Sequence, residues 1–332
     1  MEEINPRQCM FVFMISEYLI YLSYRFTSVY FICYLCGHDP PDAVSIATDI
    51  NVISNIVPVQ RMFNNIEPEI KFTFCLSPVH GTIGDLDLVE WIEMNRILGI
   101  QKFIMYIHNT NNKIEKILDY YSSIGVVETL PWLNITNINS EDFFYFAQLS
   151  ALNDCLYRMK GVSEYIAVSD MDEFIIPQNK KDYTLTDMMQ RINVNNITAL
   201  LFSNVFYRLD EISVHYESPS SELVTQSWLL KYDVEYKPPD RSKYIVKTNH
   251  IITLDVHDMN AVNHGNEHIV SPNIGLLHHY RRHIVREKFW FRKSKLVTDT
   301  TALKYGKQLN ERVRRICKVF NIYCEFQQVE ST

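Results

Sequence analysis

Residues 165–177 read Tyr165-Ile166-Ala167-Val168-Ser169-Asp170-Met171-Asp172-Glu173-Phe174-Ile175-Ile176-Pro177. The first five are the β-branched, aromatic and small side chains of a buried strand. Asp170, Asp172 and Glu173 then place three carboxylates within four residues, and a second apolar run follows at once. Acids crowded at the edge of a core are costly unless something neutralises them. A divalent Mg2+ or Mn2+ ion does so, because it prefers oxygen ligands and shares its coordination positions with substrate phosphates. The bland alternative is a loop whose acids are held by backbone N–H groups or arginine.

Upstream of this stretch, strand and helix patterns alternate. Residues 71–76, 103–108 and 126–130 read as strands. Residues 85–98, stopped by Gly99, and 114–121 read as helices. Ser140, with Glu141 and Asp142, fits a helix start, and Leu149, Leu152, Leu156 and Met159 share one face of the helix that follows. The alternation predicts an α/β domain with a mostly parallel, Rossmann-like sheet flanked by helices. Ligands of such sheets bind beyond the carboxyl ends of the strands, where Asp170 stands. Downstream, residues 184–192 read as a helix, and 199–206, 243–248 and 250–256 as strands. A last helix turns Leu309, Val313, Ile316 and Phe320 inward, its lysines and arginines forming a solvated face.

The D-x-D pattern is weak by itself, and Asp85-Leu86-Asp87 also matches it. That copy opens a helix, where acidic side chains stabilise the N-terminal dipole, so it reads as structural. The other polar cluster is His278-His279-Tyr280-Arg281-Arg282-His283, after the apolar residues 274–277. Side chains alternate along a strand, so His279 and Arg281 share one face while His278 and Tyr280 share the other. Neutral imidazole ligates Mn2+, and a guanidinium grips phosphate as a bidentate fork.

The chain has 332 residues, 47% hydrophobic content and a formal net charge of -7. No basic excess points to nucleic acid. Neither G-x-G-x-x-G nor G-x-x-x-x-G-K occurs, so a bound nucleotide needs something other than a P-loop for its phosphates. Residues 11–36 are apolar and long enough to span a bilayer, with Glu17 and Arg25 interrupting them. The expected organisation is a cytoplasmic tail and signal-anchor over 1–36, a stem over 37–70 and a catalytic domain over 71–325. In a secretory lumen Cys75, Cys155, Cys317 and Cys324 have the means to form two disulfides. Sequons at Asn134 and Asn196 fit that compartment.

Taken together, these pieces resemble glycosyltransferase family 92. The similarity runs through Ala147-Gln148 to Asn153-Asp154-Cys155-Leu156 and Arg158, then Asp170-Met171-Asp172-Glu173 with Pro177. It continues in Lys243-Tyr244-Ile245-Val246 with His257, and in Ile274-Gly275 to His279-Tyr280-Arg281. Cys75 with Pro78, and Val89-Glu90-Trp91-Ile92-Glu93 before Gly99, also fit. The resemblance implies a GT-A type fold, a UDP-sugar donor such as UDP-galactose and a divalent metal, Mn2+. It further implies inverting transfer to a glycan or glycoprotein acceptor by a single-pass type II membrane protein of the Golgi and secretory pathway. By motif, Asp170 and Asp172 hold metal and donor with Glu173 in support, His279 is a metal or phosphate ligand, and Arg281 lies beside the diphosphate.

Two other classes compete with this reading. One is a glycan-binding pseudoenzyme of the same fold. The other is a metal-dependent hydrolase, for which His80 is present without a companion motif near the first strand. An inverting transfer also needs a general base. Asp258 and Glu267 are candidates, and no spacing selects between them.

Overall fold

A computed structural model describes residues 41–45, 55–59, 67–132, 143–192, 194–208, 223–261, 266–281 and 294–324. The apolar residues 11–36, Asn134 and the helix start at Ser140 lie outside them. Among the described residues no helix is long and apolar enough to cross a membrane.

The first half alternates as its sequence predicts. Strand β1 (Ile70–Leu76) leads to helix α1 (Asp85–Leu98), β2 (Lys102–Ile107), α2 (Asn112–Ser123) and β3 (Val127–Pro131). Helix α3 (Gln148–Met159) then precedes β4 (Ser163–Ser169). Helix boundaries follow local chemistry. Gly99 ends α1 at φ 108, a left-handed conformation that costs a residue without Cβ little. The Asn111 side chain caps α2 by accepting from the backbone N–H groups of Lys113 and Ile114. Helix α3 begins at Gln148, directly after Tyr145, Phe146 and Ala147, which all take left-handed φ values.

The second half departs from expectation. It contains β5 (Glu173–Pro177), α4 (Leu185–Ile192), β6 (Ile197–Phe202), β7 (Asn204–Arg208), α5 (Val224–Ser227) and β8 (Leu230–Tyr232). These are followed by β9 (Lys243–Lys247), β10 (Ile251–Leu254), β11 (Met259–Ala261), β12 (Asn266–Val270), β13 (Gly275–Arg281), β14 (Leu296–Thr298) and α6 (Gly306–Phe320). The expected mostly parallel sheet is in fact a mixed one, of seven strands in the order β12-β6-β9-β4-β1-β2-β3. The β1, β2, β3 and β4 pairings are parallel, whereas β9 runs antiparallel to both β4 and β6. Beside it stands a second mixed sheet, β14-β8-β7-β13-β5, which the sequence pattern did not announce. The run 199–206 reads as one strand but is two, interrupted at Ser203, where the chain passes from the first sheet to the second. The Asp170 to Asp172 turn makes the same passage between β4 and β5.

Side-chain alternation divides the core. Phe72, Phe74, Phe103 and Met105 face α1, α2, α6 and the second sheet. Cys75, Ile104, Tyr106, Ile166 and Val168 face α3 on the other side. A disulfide, Cys75–Cys155, joins β1 to α3 there, and Cys317–Cys324 closes the end of α6. The face of α6 is not wholly solvated: Arg312 reaches Glu93 of α1 at 3.6 Å.

Candidate functional site

The strands meet at a carboxylate cluster for a topological reason. Strand β4 ends at Ser169, and its chain turns through Asp170, Met171 and Asp172 into the second sheet. The turn is tied by the Glu173 N–H donating to the Asp170 carbonyl at 3.1 Å. The Tyr280 N–H donates to the Asp172 carbonyl at 2.8 Å, pinning the turn to β13. Across the β5–β13 ladder His279 stands directly opposite Glu173. Opposed residues of an antiparallel pair share a face, so the two side chains meet. In the first sheet, Tyr244 of β9 is level with Val168 of β4, which brings Lys243 to the acidic turn.

Asp170 is held on both carboxylate oxygens. Ser77 Oγ donates to Oδ1 at 2.8 Å, and Lys243 Nζ lies 3.0 Å from Oδ2. Gln148 donates in turn to Ser77 Oγ. Burial by itself raises the Asp170 carboxyl, but Lys243 and Ser77 outweigh it and hold it at about 2. Glu173 is 2% exposed; its Oε1 lies 3.2 Å from His279 Nδ1 and its Oε2 3.8 Å from Lys243 Nζ. Its Oε2 also accepts from the Asp170 N–H at 2.9 Å. Burial pushes this carboxyl up, to about 7. His279 Nε2 lies 3.2 Å from Asp172 Oδ2, so one imidazole bridges two carboxylates. Burial lowers the imidazole, yet Glu173 and Asp172 together raise it above its usual value. The ring rests on Phe206 with centroids 4.6 Å apart.

Three of the sequence candidates, Asp170, Asp172 and Glu173, thus converge with His279. Arg281 is exposed at the last position of β13 and makes no described contact with the acids. His278 is fully buried on the opposite face, against Tyr207 and accepting from Gln178 Nε2 at 3.0 Å. Burial lowers it to about 3, so it is neutral. Neither general-base candidate makes a described contact with the acids of the cluster. Asp258 spends Oδ1 on the Met259 N–H at 2.8 Å. Glu267 lies three residues before Val270, the β12 residue level with Phe202 and Lys243, which sets it about 10 Å back from the carboxyl end. His80 makes no described contact with the acids and stacks on Phe146 with ring centroids 4.0 Å apart.

Sequence reasoning read Lys243 and Gln148 only as family motif residues, with no site role, and missed Ser77. It also missed Arg241, whose guanidinium lies 5.6 Å from the Phe206 ring that supports His279. Lys243 is 1% exposed, and a lysine buried in a strand is the signal that would have found it.

Among the described residues no group of three or more His, Cys, Asp or Glu side chains is arranged to hold a metal ion by itself. The donor set nevertheless suits an ion whose shell a substrate completes. Asp172 is 45% exposed and its Oδ2 lies 3.2 Å from an imidazole nitrogen. Adjacent octahedral ligands at about 2.1 Å from an ion stand about 3 Å apart, and Mg2+-type ions are commonly held by one or two carboxylates plus phosphates. An oxygen and an imidazole together suit Mn2+.

The family model of glycosyltransferase family 92 matches residues 70–313, a segment that contains every group in this cluster. The chain belongs to glycosyltransferase family 92. Beta-1,4-galactosyltransferase galt-1 of Caenorhabditis elegans is 31% identical over 128 residues, covering 36% of this chain and 28% of the relative. Galactan beta-1,4-galactosyltransferase GALS3 of Arabidopsis thaliana is 20% identical over 268 residues, 74% of this chain and 50% of the relative. The matched segments span half or less of the length of these relatives. Among solved structures, S. aureus TarS 1-349 in complex with UDP-GlcNAc gives a TM-score of 0.35 at 11% identity, covering 78% of this chain and 68% of that one.

Proposed function

We propose that this family 92 protein transfers a hexose, galactose from UDP-galactose, to a glycan acceptor with inversion and with a divalent metal, Mn2+, on a GT-A type scaffold. The observation that carries the reading is the convergence of Asp170, Asp172, Glu173, Lys243 and His279 at the carboxyl end of β4, inside the family segment. The galactosyltransferase names of two relatives support the donor.

Asp172 and His279 would hold the metal, which supplies positive charge to the diphosphate leaving group. The chain's own groups orient the donor. Asp170, fixed from two sides by Ser77 and Lys243, presents an ionised carboxylate at the strand end where donor hydroxyls or the ion's water shell would meet it. Glu173 holds the His279 ring in place through Nδ1. Arg241, 5.6 Å from the Phe206 ring on which His279 rests, and Arg281, two residues beyond His279 on the same face of β13, are the guanidiniums that would meet a phosphate.

The compartment belongs to the same proposal. Two disulfides favour an oxidising lumen. Asn196 is exposed, as a glycosylated sequon must be. Residues 11–36 would anchor the chain as a single-pass type II protein of the Golgi.

The test is a panel of UDP-sugars with Mn2+ and glycan acceptors. Mn2+-dependent release of UDP with formation of a galactosylated product is expected. UDP-sugar hydrolysis without transfer would support a hydrolase instead. One observation favours a second reading, a glycan-binding protein without turnover: Lys243 and His279 already neutralise most of the acidic charge, so the cluster does not require a metal to exist. Mn2+-independent glycan binding with no UDP released from any donor would establish it.

A further inference from the structure

We infer that Lys243 is a positioning residue that keeps Asp170 out of the metal's ligand set, leaving Asp172 and His279 as the protein's metal ligands. The inference rests on the proposed reading that a divalent ion works at this cluster.

The D-x-D pattern suggests two equivalent acids, and the structure makes them unequal. Asp170 has one oxygen 2.8 Å from Ser77 Oγ and the other 3.0 Å from Lys243 Nζ. Asp172, about as exposed as Asp170, has its described side-chain contact with His279 alone. Lys243 itself has little freedom to leave. Its Nζ lies 3.8 Å from Glu173 Oε2 and 3.5 Å from the Val256 carbonyl, and its side chain is 1% exposed. An ammonium with two carboxylates and a carbonyl around it, shut away from water, has nowhere better to go. It therefore occupies one lone-pair direction of Asp170 with a fixed positive charge. A second cation drawn to the same oxygen would meet like-charge repulsion at hydrogen-bond range.

The backbone makes this a built arrangement. Val256 lies in the loop between β10 and β11, and the Ser242 hydroxyl donates to the His257 carbonyl at 3.1 Å in that loop. His257 Nδ1 lies 2.9 Å from the Ser242 carbonyl in return. The loop and the start of β9 are thus clasped together, and Lys243 projects from the clasp into the acids.

The experiment titrates Mn2+, alone and with UDP, into the purified protein and follows loss of the free-ion paramagnetic resonance signal. Asp172→Asn should weaken Mn2+ binding tenfold or more, and Asp170→Asn less than threefold. Lys243→Met frees Asp170 to join the ion, so it should bind Mn2+ about tenfold more tightly while its transfer rate falls. A merely structural lysine would not tighten metal binding. Lys243→Arg, which keeps the charge, should leave Mn2+ affinity near wild type. Equal weakening by Asp170→Asn and Asp172→Asn, or weaker binding in Lys243→Met, overturns the inference and leaves the transferase reading standing. If Lys243→Met fails to fold, the two aspartate variants decide alone. Wild-type protein that binds no Mn2+ with or without UDP overturns both.

Discussion

Asp85-Leu86-Asp87 and Asp170-Met171-Asp172 have the same pattern, and in each the first aspartate is paired with a lysine. Lys113 lies 2.5 Å from Asp85 and is 42% exposed; Lys243 lies 3.0 Å from Asp170 and is 1% exposed. The first pair ties two helices at the surface, where water and salt screen it. The second closes a cluster in which five ionisable side chains from both sheets touch. Asp87 turns back toward Gly84, one carboxylate oxygen 2.5 Å from where a Cβ on that glycine would stand, whereas Asp172 meets the buried His279. The lesson is that a motif's chemistry is set by what the fold brings to it from a distance, and the two lysines are where the comparison can be broken.

The largest expected effect is on stability. Lys243→Met strips the partner from buried Glu173 and from Asp170, which is 40% exposed and keeps some water, so it should cost about 3 kcal/mol in urea unfolding, the lower end for a broken buried pair. Lys113→Met should cost under about 1 kcal/mol, since both partners keep water. Similar losses at the two lysines would mean that Lys243 has more access to solvent than its packing indicates.

Next comes catalysis. Asp172→Asn should lower kcat/KM about 10²–10³-fold, the scale on which losing one charge-stabilising group is felt, with its unfolding midpoint close to wild type. Asp87→Asn should leave kcat/KM within about twofold of wild type, a difference of about 0.4 kcal/mol. Equal losses would make the helix-start copy part of the pocket.

A third test uses pH. Glu90, one turn further along the helix that Asp85 opens, is buried and accepts from the Val224 N–H, the Thr225 N–H and Thr225 Oγ. Burial pushes it up to about 7 against the pull of these donors. A carboxyl with a raised folded pKa binds more protons folded than unfolded between about 4.5 and 7, so its contribution to stability falls as pH rises through that window. Glu90→Gln should remove this dependence. The stability difference between variant and wild type should shift by about 1–3 kcal/mol from pH 5 to pH 8, in the variant's favour. No shift would mean that the three donors keep Glu90 ionised throughout.

How much of this was legible in the sequence follows from the range of each interaction. The strand before Asp170, the apolar spacing of α1 and α6 and the opposite facing of His278 and His279 are set by neighbours a few residues away, and pattern reading reached them. Lys243, Ser77 and Gln148 meet Asp170 or one another across 71 to 93 residues, and no local period encodes such meetings. The second sheet was hidden for a related reason. Residues 199–206 look like one apolar strand, and only the pairing partners on either side of Ser203 reveal that it serves two sheets. The general base stayed unread because Asp258 and Glu267 are surface acids, and a surface acid has no spacing that separates a catalyst from a solvated side chain.

The smallest expected effect is the stability of the decoy itself. Asp87 stands in the first turn of α1, where the helix dipole leaves partial positive charge and unsatisfied N–H groups. Gly84, the residue before the helix, has no side chain to cap it, so first-turn acids carry that duty. Asp87→Asn removes the charge and keeps a hydrogen-bonding oxygen of the same reach. The loss should be about 0.3–1 kcal/mol, shrinking as salt rises, because a charge–dipole contact near the surface is screened. Urea unfolding at low and high ionic strength measures it. A loss that did not shrink with salt would place the contribution of Asp87 in its fit beneath Gly84, and the two D-x-D copies would then differ in kind as well as in depth.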